Sequence, residues 1–146
     1  MEWAALSSVG MRSRNEDAYK IFGDAGIFVS GDGLGGHEQG AVASRTAVDT
    51  AAEVSVAEGP WVGKGETARR AFELAGFRVA KKAGYGGSTL DLVRISDREA
   101  EIAHTGDSRV YLLRDGQLRQ LTDDHSVVAE KVRQGLLTDE EARTDP

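Results

Sequence analysis

The chain has 146 residues, 40% hydrophobic and 29% charged, which is typical of a single globular domain. Its 24 acidic and 18 basic residues give a net charge of −6, which argues against general nucleic-acid binding, because phosphate backbones require a basic surface. The absence of cysteine excludes disulfides, thiolate zinc sites and cysteine nucleophiles. No apolar run reaches transmembrane length and no signal pattern opens the chain, so we expect a cytoplasmic protein with no membrane partner.

The first half of the chain predicts short strands followed by two helices. Apolar runs bounded by glycine-rich turns predict strands over 3–9, 18–22 and 27–30, the last two forming a hairpin. Alanine-rich segments with helical periodicity predict helices over 39–56 and 66–82.

The second half predicts a four-strand meander and then short helices. The predicted strands cover 89–95, 100–104, 109–113 and 117–121. Asp115-Gly116 is a strong hairpin signal, because both residues tolerate a positive φ. A helix is predicted over 123–134, and Thr138 with Glu141 predicts a capping box. Because strands and helices are grouped rather than alternating, the pattern favours an α+β fold with antiparallel sheets.

The loop over 30–37, Ser-Gly-Asp-Gly-Leu-Gly-Gly-His, is the most informative segment. It places Asp32 between two glycines, directly after a buried apolar run. A carboxylate that has lost hydration there needs a cation or hydrogen-bond donors. Glycines allow a ligand to approach the backbone closely, and hard cations such as Mg²⁺ and Mn²⁺ favour oxygen-rich sites. The first interpretation is therefore a metal site.

Two alternatives compete for the same loop. Gly31-x-Gly33-x-x-Gly36 satisfies the dinucleotide fingerprint, with Glu53 at a suitable distance. Against it, Asp32 would face an anionic pyrophosphate, and hairpins stand where a βαβ series should continue. The other alternative is a glycine turn with a solvated Asp32.

Acidic residues also follow two other predicted strands, as Glu16-Asp17 and as Asp107. Paired strands would bring these loops and Asp32 to one edge of the sheets, where carboxylates repel one another unless they bind metal. Structural alternatives stay open: Asp17 as a turn cap, and Asp107 in an Asx turn or an ion pair with Arg109.

Two basic or titratable residues remain ambiguous from the residues alone. Arg12, four residues before Glu16, is either a solvated charge or an anion binder. His37 is either a polar loop residue or a proton donor or phosphate contact. Ser88 and Ser108 lack a histidine at a telling position, so no serine triad can be argued.

Five segments together resemble, in order, the motifs of metal-dependent serine/threonine protein phosphatases of type 2C, the PPM family, especially bacterial members. They are Gly10–Ala18, Gly31–His37, Gly87–Leu90, Gly106–Tyr111 and Leu121–Ser126. The resemblance implies an αββα sandwich of two antiparallel sheets flanked by helices, incomplete at the C-terminus. It also implies a single truncated domain over 1–146, with the family's flap region beginning near 135.

The resemblance implies a role for each acidic residue. Asp32 matches the carboxylate that bridges two Mn²⁺ or Mg²⁺ ions, and Gly33 matches the glycine whose backbone carbonyl binds one of them. Glu16 and Asp17 match the acidic pair on that same ion. Asp107 matches an acid associated with a third, weaker metal in bacterial members.

The implied reaction is hydrolysis of phosphoserine or phosphothreonine in proteins by a metal-activated water, without a covalent intermediate. Arg12 matches the arginine that holds the substrate phosphate, and His37 lies at a position that influences substrate handling. The implied substrates are proteins phosphorylated by a bacterial serine/threonine kinase.

The sequence departs from the family pattern after Asp124. The family's Ser-Asp-Gly and Asp-Asn segments, whose aspartates complete the shell of the first metal, have no counterpart here. We therefore expect weakened bimetallic catalysis, and a sheet edge open to self-association. The alternative function is a non-catalytic module that binds phosphoproteins or a partner.

Overall fold

The structure is a computed structural model that describes residues 1–35, 38–59 and 65–143. Two compact units can be distinguished, one over Met1–His104 and one from Thr105 onward. The expectation of a single domain over 1–146 stays a prediction.

The first unit is built on a four-stranded sheet with the order β1-β2-β5-β6, and a short two-stranded pair β3-β4. The strands are β1 (Ala18–Phe22), β2 (Ile27–Gly31), β3 (Gly33–Leu34), β4 (Gly87–Ser88), β5 (Leu90–Ser96) and β6 (Glu99–Thr105). β2 is antiparallel to both of its neighbours, β1 and β5. This pairing is incompatible with the parallel βαβ unit of a dinucleotide site, so that alternative is wrong.

Two long helices, α1 (Glu38–Ala57) and α2 (Glu66–Lys82), belong to the same unit. Their buried faces are made largely of alanine, which allows helix and sheet backbones to approach closely. The core contains Ile27, Val29, Leu90 and Leu92 from the sheet, Ala47, Val48, Ala51 and Ala52 from α1, and Ala68, Ala71 and Ala75 from α2. The core therefore joins the two helices to the central strands β2 and β5.

The register of the central strands fixes where the glycine loop begins. Val29 lies opposite Leu92 and Ser30 lies opposite Asp91. β2 ends at Gly31 and β5 begins at Leu90, so Asp32 and Thr89 both lie just beyond the same edge of the sheet.

The second unit contains a hairpin and two short helices. The hairpin joins β7 (Tyr111–Arg114) to β8 (Gln117–Gln120) through Asp115 and Gly116, whose φ angles are +52° and +74°. The helices are α3 (Val127–Arg133), capped by the Ser126 side chain, and α4 (Asp139–Ala142), which opens with the predicted capping box.

Three details of the predicted elements are wrong. Residues 1–9 are described but form no strand, and Trp3 instead packs against Gly23. A strand needs a hydrogen-bonded partner, and none of the described strands pairs with this segment. The predicted meander is divided, because β6 joins the four-stranded sheet while β7 and β8 pair only with each other. The third helix begins at Val127 rather than 123, since Ser126 is its cap. Among the described helices, none is both long and apolar enough to cross a bilayer.

Candidate functional site

Asp32 is fixed by its backbone to the start of β5. Its N–H donates to the Thr89 hydroxyl at 2.8 Å, and its carbonyl accepts from the Thr89 N–H at 2.9 Å. The side chain of Asp32 stays exposed while the flanking residues Gly31 and Gly33 are buried. The two bonds therefore leave the carboxylate at the surface on a rigid backbone.

Glu16 is joined to the same loop from the other side. Its carbonyl accepts from the Gly33 N–H at 3.2 Å and from the hydroxyl of Ser44, a residue of α1 that is 1% exposed. One backbone oxygen thus connects the polar loop before β1, the glycine loop after β2 and the first helix.

Close backbone packing at Gly33 and Gly40 makes this junction possible. A Cβ on Gly33 would overlap the Gly40 carbonyl and lie 2.8 Å from the Glu16 carbonyl oxygen. A Cβ on Gly40 would overlap the Glu16 carboxylate and lie 3.1 Å from the Gly33 carbonyl oxygen. The Glu16 carboxylate and the Gly33 carbonyl therefore both lie against the first turns of α1.

Asp17 and Arg12 lie in the exposed loop that leads into β1. The Asp17 N–H donates to the Asn15 side-chain carbonyl at 3.0 Å, and the Asn15 amide donates to the Ser7 hydroxyl at 2.6 Å. The Arg12 N–H donates to the Val9 carbonyl at 3.2 Å, and its side chain is exposed. Asp17 is thus oriented by a local turn, while Arg12 extends into solvent.

The candidate donors predicted for this site are all oxygens: the carboxylates of Glu16, Asp17 and Asp32 and the Gly33 carbonyl. Such donors fit Mg²⁺ or Mn²⁺. Within the described ranges, no three acidic or histidine side chains converge closely enough to hold a metal by themselves. The backbone carbonyl of Glu16 is bonded to the glycine loop, and the backbone of Asp32 is bonded to Thr89, but the acidic side chains do not form a closed carboxylate cage among the described residues.

Two further residues were predicted for the site, His37 and Asp107. His37 lies outside the described residues. Asp107 is exposed in the second unit, next to a loop held by the His125 N–H, which donates to the Gly106 carbonyl at 2.8 Å. Arg109 forms a two-pronged ion pair with Asp124, at 2.8 and 2.6 Å, which raises the pKa of its guanidinium. The ion-pair alternative for Asp107 is therefore wrong, because the Arg109 guanidinium is bonded to Asp124.

Sequence reasoning missed the residues that hold the acids in place. Thr89, Ser44 and Gly40 act through contacts with residues far away in the chain. The only sequence signal was the Gly-Ser-Thr-Leu motif that contains Thr89. It indicated the family but not the hydrogen bond.

A buried acid lies beside the site without belonging to it. Asp91, opposite Ser30 in the register, is 5% exposed, and burial raises the pKa of its carboxyl. The Ser30 hydroxyl donates to Asp91 Oδ2 at 3.4 Å and the charge of His104 also acts on it, both lowering the pKa in part. Asp91 Oδ1 accepts no hydrogen bond from the described residues.

Fold and site together define the chain as a member of the protein phosphatase 2C family, whose model matches residues 19–133. It is 34% identical to the serine/threonine protein phosphatase PstP of Mycobacterium tuberculosis, with 100% of this chain and 29% of that protein covered. It is also 34% identical to the protein phosphatase PhpP of Streptococcus pneumoniae, with 100% of this chain and 64% of that protein covered. The chain thus spans less than two thirds of these relatives.

Solved structures of bacterial relatives share the fold. Serine/threonine phosphatase Stp1 from Staphylococcus aureus superposes with a TM-score of 0.82 at 31% identity, over 94% of this chain and 58% of that one. The catalytic domain of PstP in complex with two manganese ions gives a TM-score of 0.76 at 30% identity, over 90% and 59% of the two chains. The family and the α+β fold class inferred from the sequence are confirmed.

Proposed function

We propose that this chain carries phosphate-hydrolysing residues of the active site of a metal-dependent protein serine/threonine phosphatase. Two observations together carry the proposal. The Glu16 carbonyl accepts hydrogen bonds from both Gly33 and Ser44, and Asp32 and Thr89 are joined by two hydrogen bonds. These contacts bring the acidic loops of two strands to one edge of the sheet on fixed backbones. The names of the relatives support the same chemistry.

Divalent cations, Mn²⁺ or Mg²⁺, fit the oxygen donors. Asp32 would bridge two ions, and Gly33 would contribute its carbonyl to one of them. Glu16 and Asp17 would orient water or bind that same ion, and Asp107 would serve a third, weaker ion. When bound, such ions supply an activated water and neutralise charge on the phosphate.

The chain's own residues provide binding and orientation. The exposed guanidinium of Arg12 would hold two oxygens of the substrate phosphate, the geometry in which arginine binds phosphate best. His37 would contact the substrate from the end of the glycine loop. Thr89 and Ser44 would hold the acidic loops in place while the phosphate is bound.

The test is turnover of a phosphothreonine peptide by the chain in Mn²⁺ and, separately, in Mg²⁺. Asp32→Asn keeps the backbone bonds to Thr89 and removes the charge, so we expect it to abolish turnover and the rise in melting temperature on adding Mn²⁺. Asp24→Asn, an exposed acid in the turn between β1 and β2, is the matched control. Equal turnover in wild type and Asp32→Asn would contradict the proposal.

One observation favours the second candidate, a non-catalytic module that binds phosphoproteins. Within the described residues the acidic side chains do not form a group of three at metal-binding distance. Tight phosphopeptide binding that depends on Arg12, without turnover in any divalent cation, would establish this alternative.

We also propose the partners expected from the sequence. Substrates would be proteins phosphorylated by a bacterial serine/threonine kinase, and the chain would act in the cytoplasm. Self-association would use β6, an edge strand of the four-stranded sheet. Sedimentation at increasing protein concentration tests the association, and a monomer at all concentrations would contradict it.

A further inference from the structure

A cleft of about 370 Å³ opens beside Asp17, on the first unit's surface. The polar residues that line it are Ser7, Asn15, Asp17, Tyr19, Arg45 and Asp49. Resting on the proposed function, we propose that Arg45 forms a specificity subsite for a second anionic group of the substrate, close in sequence to the phosphorylated residue.

The position of Arg45 follows from the contact made by its neighbour in the sequence, Ser44. Ser44 donates its hydroxyl to the Glu16 carbonyl, which fixes this turn of α1 against the loop before β1. Arg45 follows Ser44 in the sequence and Asp17 follows Glu16, and both Arg45 and Asp17 line the cleft. The contact that builds the acidic site therefore also sets the guanidinium beside it.

The positive charge of Arg45 is not paired with an acidic side chain among the described residues of the cleft. Asp49 is paired with Lys20 at 2.7 Å, and the Asn15 side chain is engaged by the Ser7 hydroxyl and the Asp17 N–H. Across the described ranges, Arg45 forms no ion pair or hydrogen bond. Once Asp17 serves a cation, as the proposed function requires, the cleft carries one positive charge without a partner.

The chemistry of the guanidinium defines the ligand. Arginine binds carboxylate and phosphate through two parallel N–H donors. A peptide whose phosphate lies at Asp32 and Arg12 must continue away from the site on one side or the other, and the cleft begins at Asp17. The group that Arg45 binds is therefore an acidic side chain or a second phosphate on the same peptide.

The experiment measures peptide binding rather than turnover, with Mn²⁺ present. The probes carry a phosphonate in place of phosphothreonine, in which carbon replaces the bridging oxygen and prevents hydrolysis. One has neutral flanking residues, one has aspartate on both sides, one has a second phosphonate and one has lysine on both sides. Fluorescence anisotropy gives the dissociation constant of each.

We expect wild type to bind the aspartate or the doubly phosphonated probe about fivefold tighter than the neutral probe, the strength of a favourable exposed ion pair. Arg45→Gln should reduce this ratio to near one, and Arg45→Glu should favour the lysine probe. The matched control is Arg98→Gln, an exposed arginine beyond the far end of β5, about 20 Å along the strand from Thr89. The control should retain the wild-type ratio.

Three results would overturn the subsite: no preference in wild type, an equal loss in the Arg45 and Arg98 variants, or no binding of any anionic probe. A gain with the second phosphonate alone identifies a second phosphate, and a gain with aspartate identifies an acidic side chain. The two proposals fail separately. Absent turnover with an Arg45-dependent preference contradicts only the enzymatic function, whereas turnover without that preference contradicts only the subsite.

Discussion

Thr89 binds the backbone of Asp32 twice, once through its hydroxyl at 2.8 Å and once through its N–H at 2.9 Å. The two residues follow β2 and precede β5, which are the paired central strands of the sheet. These two hydrogen bonds continue the pairing of β2 with β5 by one residue beyond the end of β2. The position of the Asp32 carboxylate thus depends on a threonine that carries no catalytic chemistry.

Thr89→Val tests this dependence. The substitution keeps the shape of the side chain but removes the acceptor for the Asp32 N–H, at a cost of about 1 kcal/mol in stability for a typical hydrogen bond. We expect weaker Mn²⁺ binding, measured by calorimetry. Thr105→Val, at the exposed end of β6, is the control. Unchanged Mn²⁺ affinity in Thr89→Val would show that the loop is held without this bond.

Gly40→Ala tests the packing between α1 and Glu16. The added Cβ would overlap the Glu16 carboxylate, so the carboxylate must move. We expect lower Mn²⁺ affinity, with a small change in melting temperature because alanine favours the helix by about 1 kcal/mol over glycine.

Gly76→Ala is the matched control, because a Cβ on that helical glycine would meet nothing within 4 Å. It should raise the melting temperature and leave metal binding unchanged. If both variants bind Mn²⁺ equally well, the close packing of Gly40 against Glu16 does not contribute to metal binding.

Asp91→Asn tests the buried acid through the pH dependence of stability. Burial raises the pKa of Asp91, so the folded chain holds this proton more tightly than the unfolded chain. Stability is therefore lost as pH rises from the unfolded pKa through the folded pKa, although Ser30 and His104 offset part of the loss.

Asparagine has no such proton to lose. We therefore expect the advantage of Asp91→Asn over wild type to grow between about pH 4 and pH 7.5 in urea unfolding. Asp24→Asn controls for the loss of one surface charge. An advantage that shrinks over this range would contradict the burial argument.

The buried pair of Arg94 and Glu101 gives a further prediction. The ion pair measures 2.9 Å, the two side chains are 4% and 10% exposed, and Arg94 also donates to the Gly59 carbonyl at 2.7 Å. Glu101→Leu removes the bonded carboxylate from a buried guanidinium, and breaking a buried ion pair from one side costs about 3–5 kcal/mol of stability. Urea unfolding should show that Arg94→Met combined with Glu101→Leu recovers much of the loss. A double variant as unstable as Glu101→Leu alone would contradict this account.

The sequence predicted best where periodicity is long or a turn has a strong chemical signature. The helix over 66–82 and the strand over 18–22 have the predicted bounds, and Asp115 adopts the positive φ expected of it. β3 and β4 were missed because two residues are too short to show a period.

The acids of the site could be identified from their family motifs, but not the residues that hold them. Ser44 and Glu16 are 28 positions apart, and Thr89 and Asp32 are 57 apart. Such contacts depend on tertiary packing, which no local pattern encodes. The assigned roles of all the site residues stay predictions: Arg12, Glu16, Asp17, Asp32, Gly33, His37 and Asp107.

The attachment of the glycine loop to the sheet divides the site into two parts of different local stability. The amide hydrogens of Gly33 and Thr89 are bonded across the strand ends, so their exchange with solvent requires the central sheet to open. The loop that carries Arg12 is exposed and has few such bonds, so it opens at a lower free energy. Under the proposed roles, the metal-binding side of the site is therefore preorganised, whereas we expect the loop that carries Arg12 to become ordered when phosphate binds, which makes the net free energy of binding less favourable.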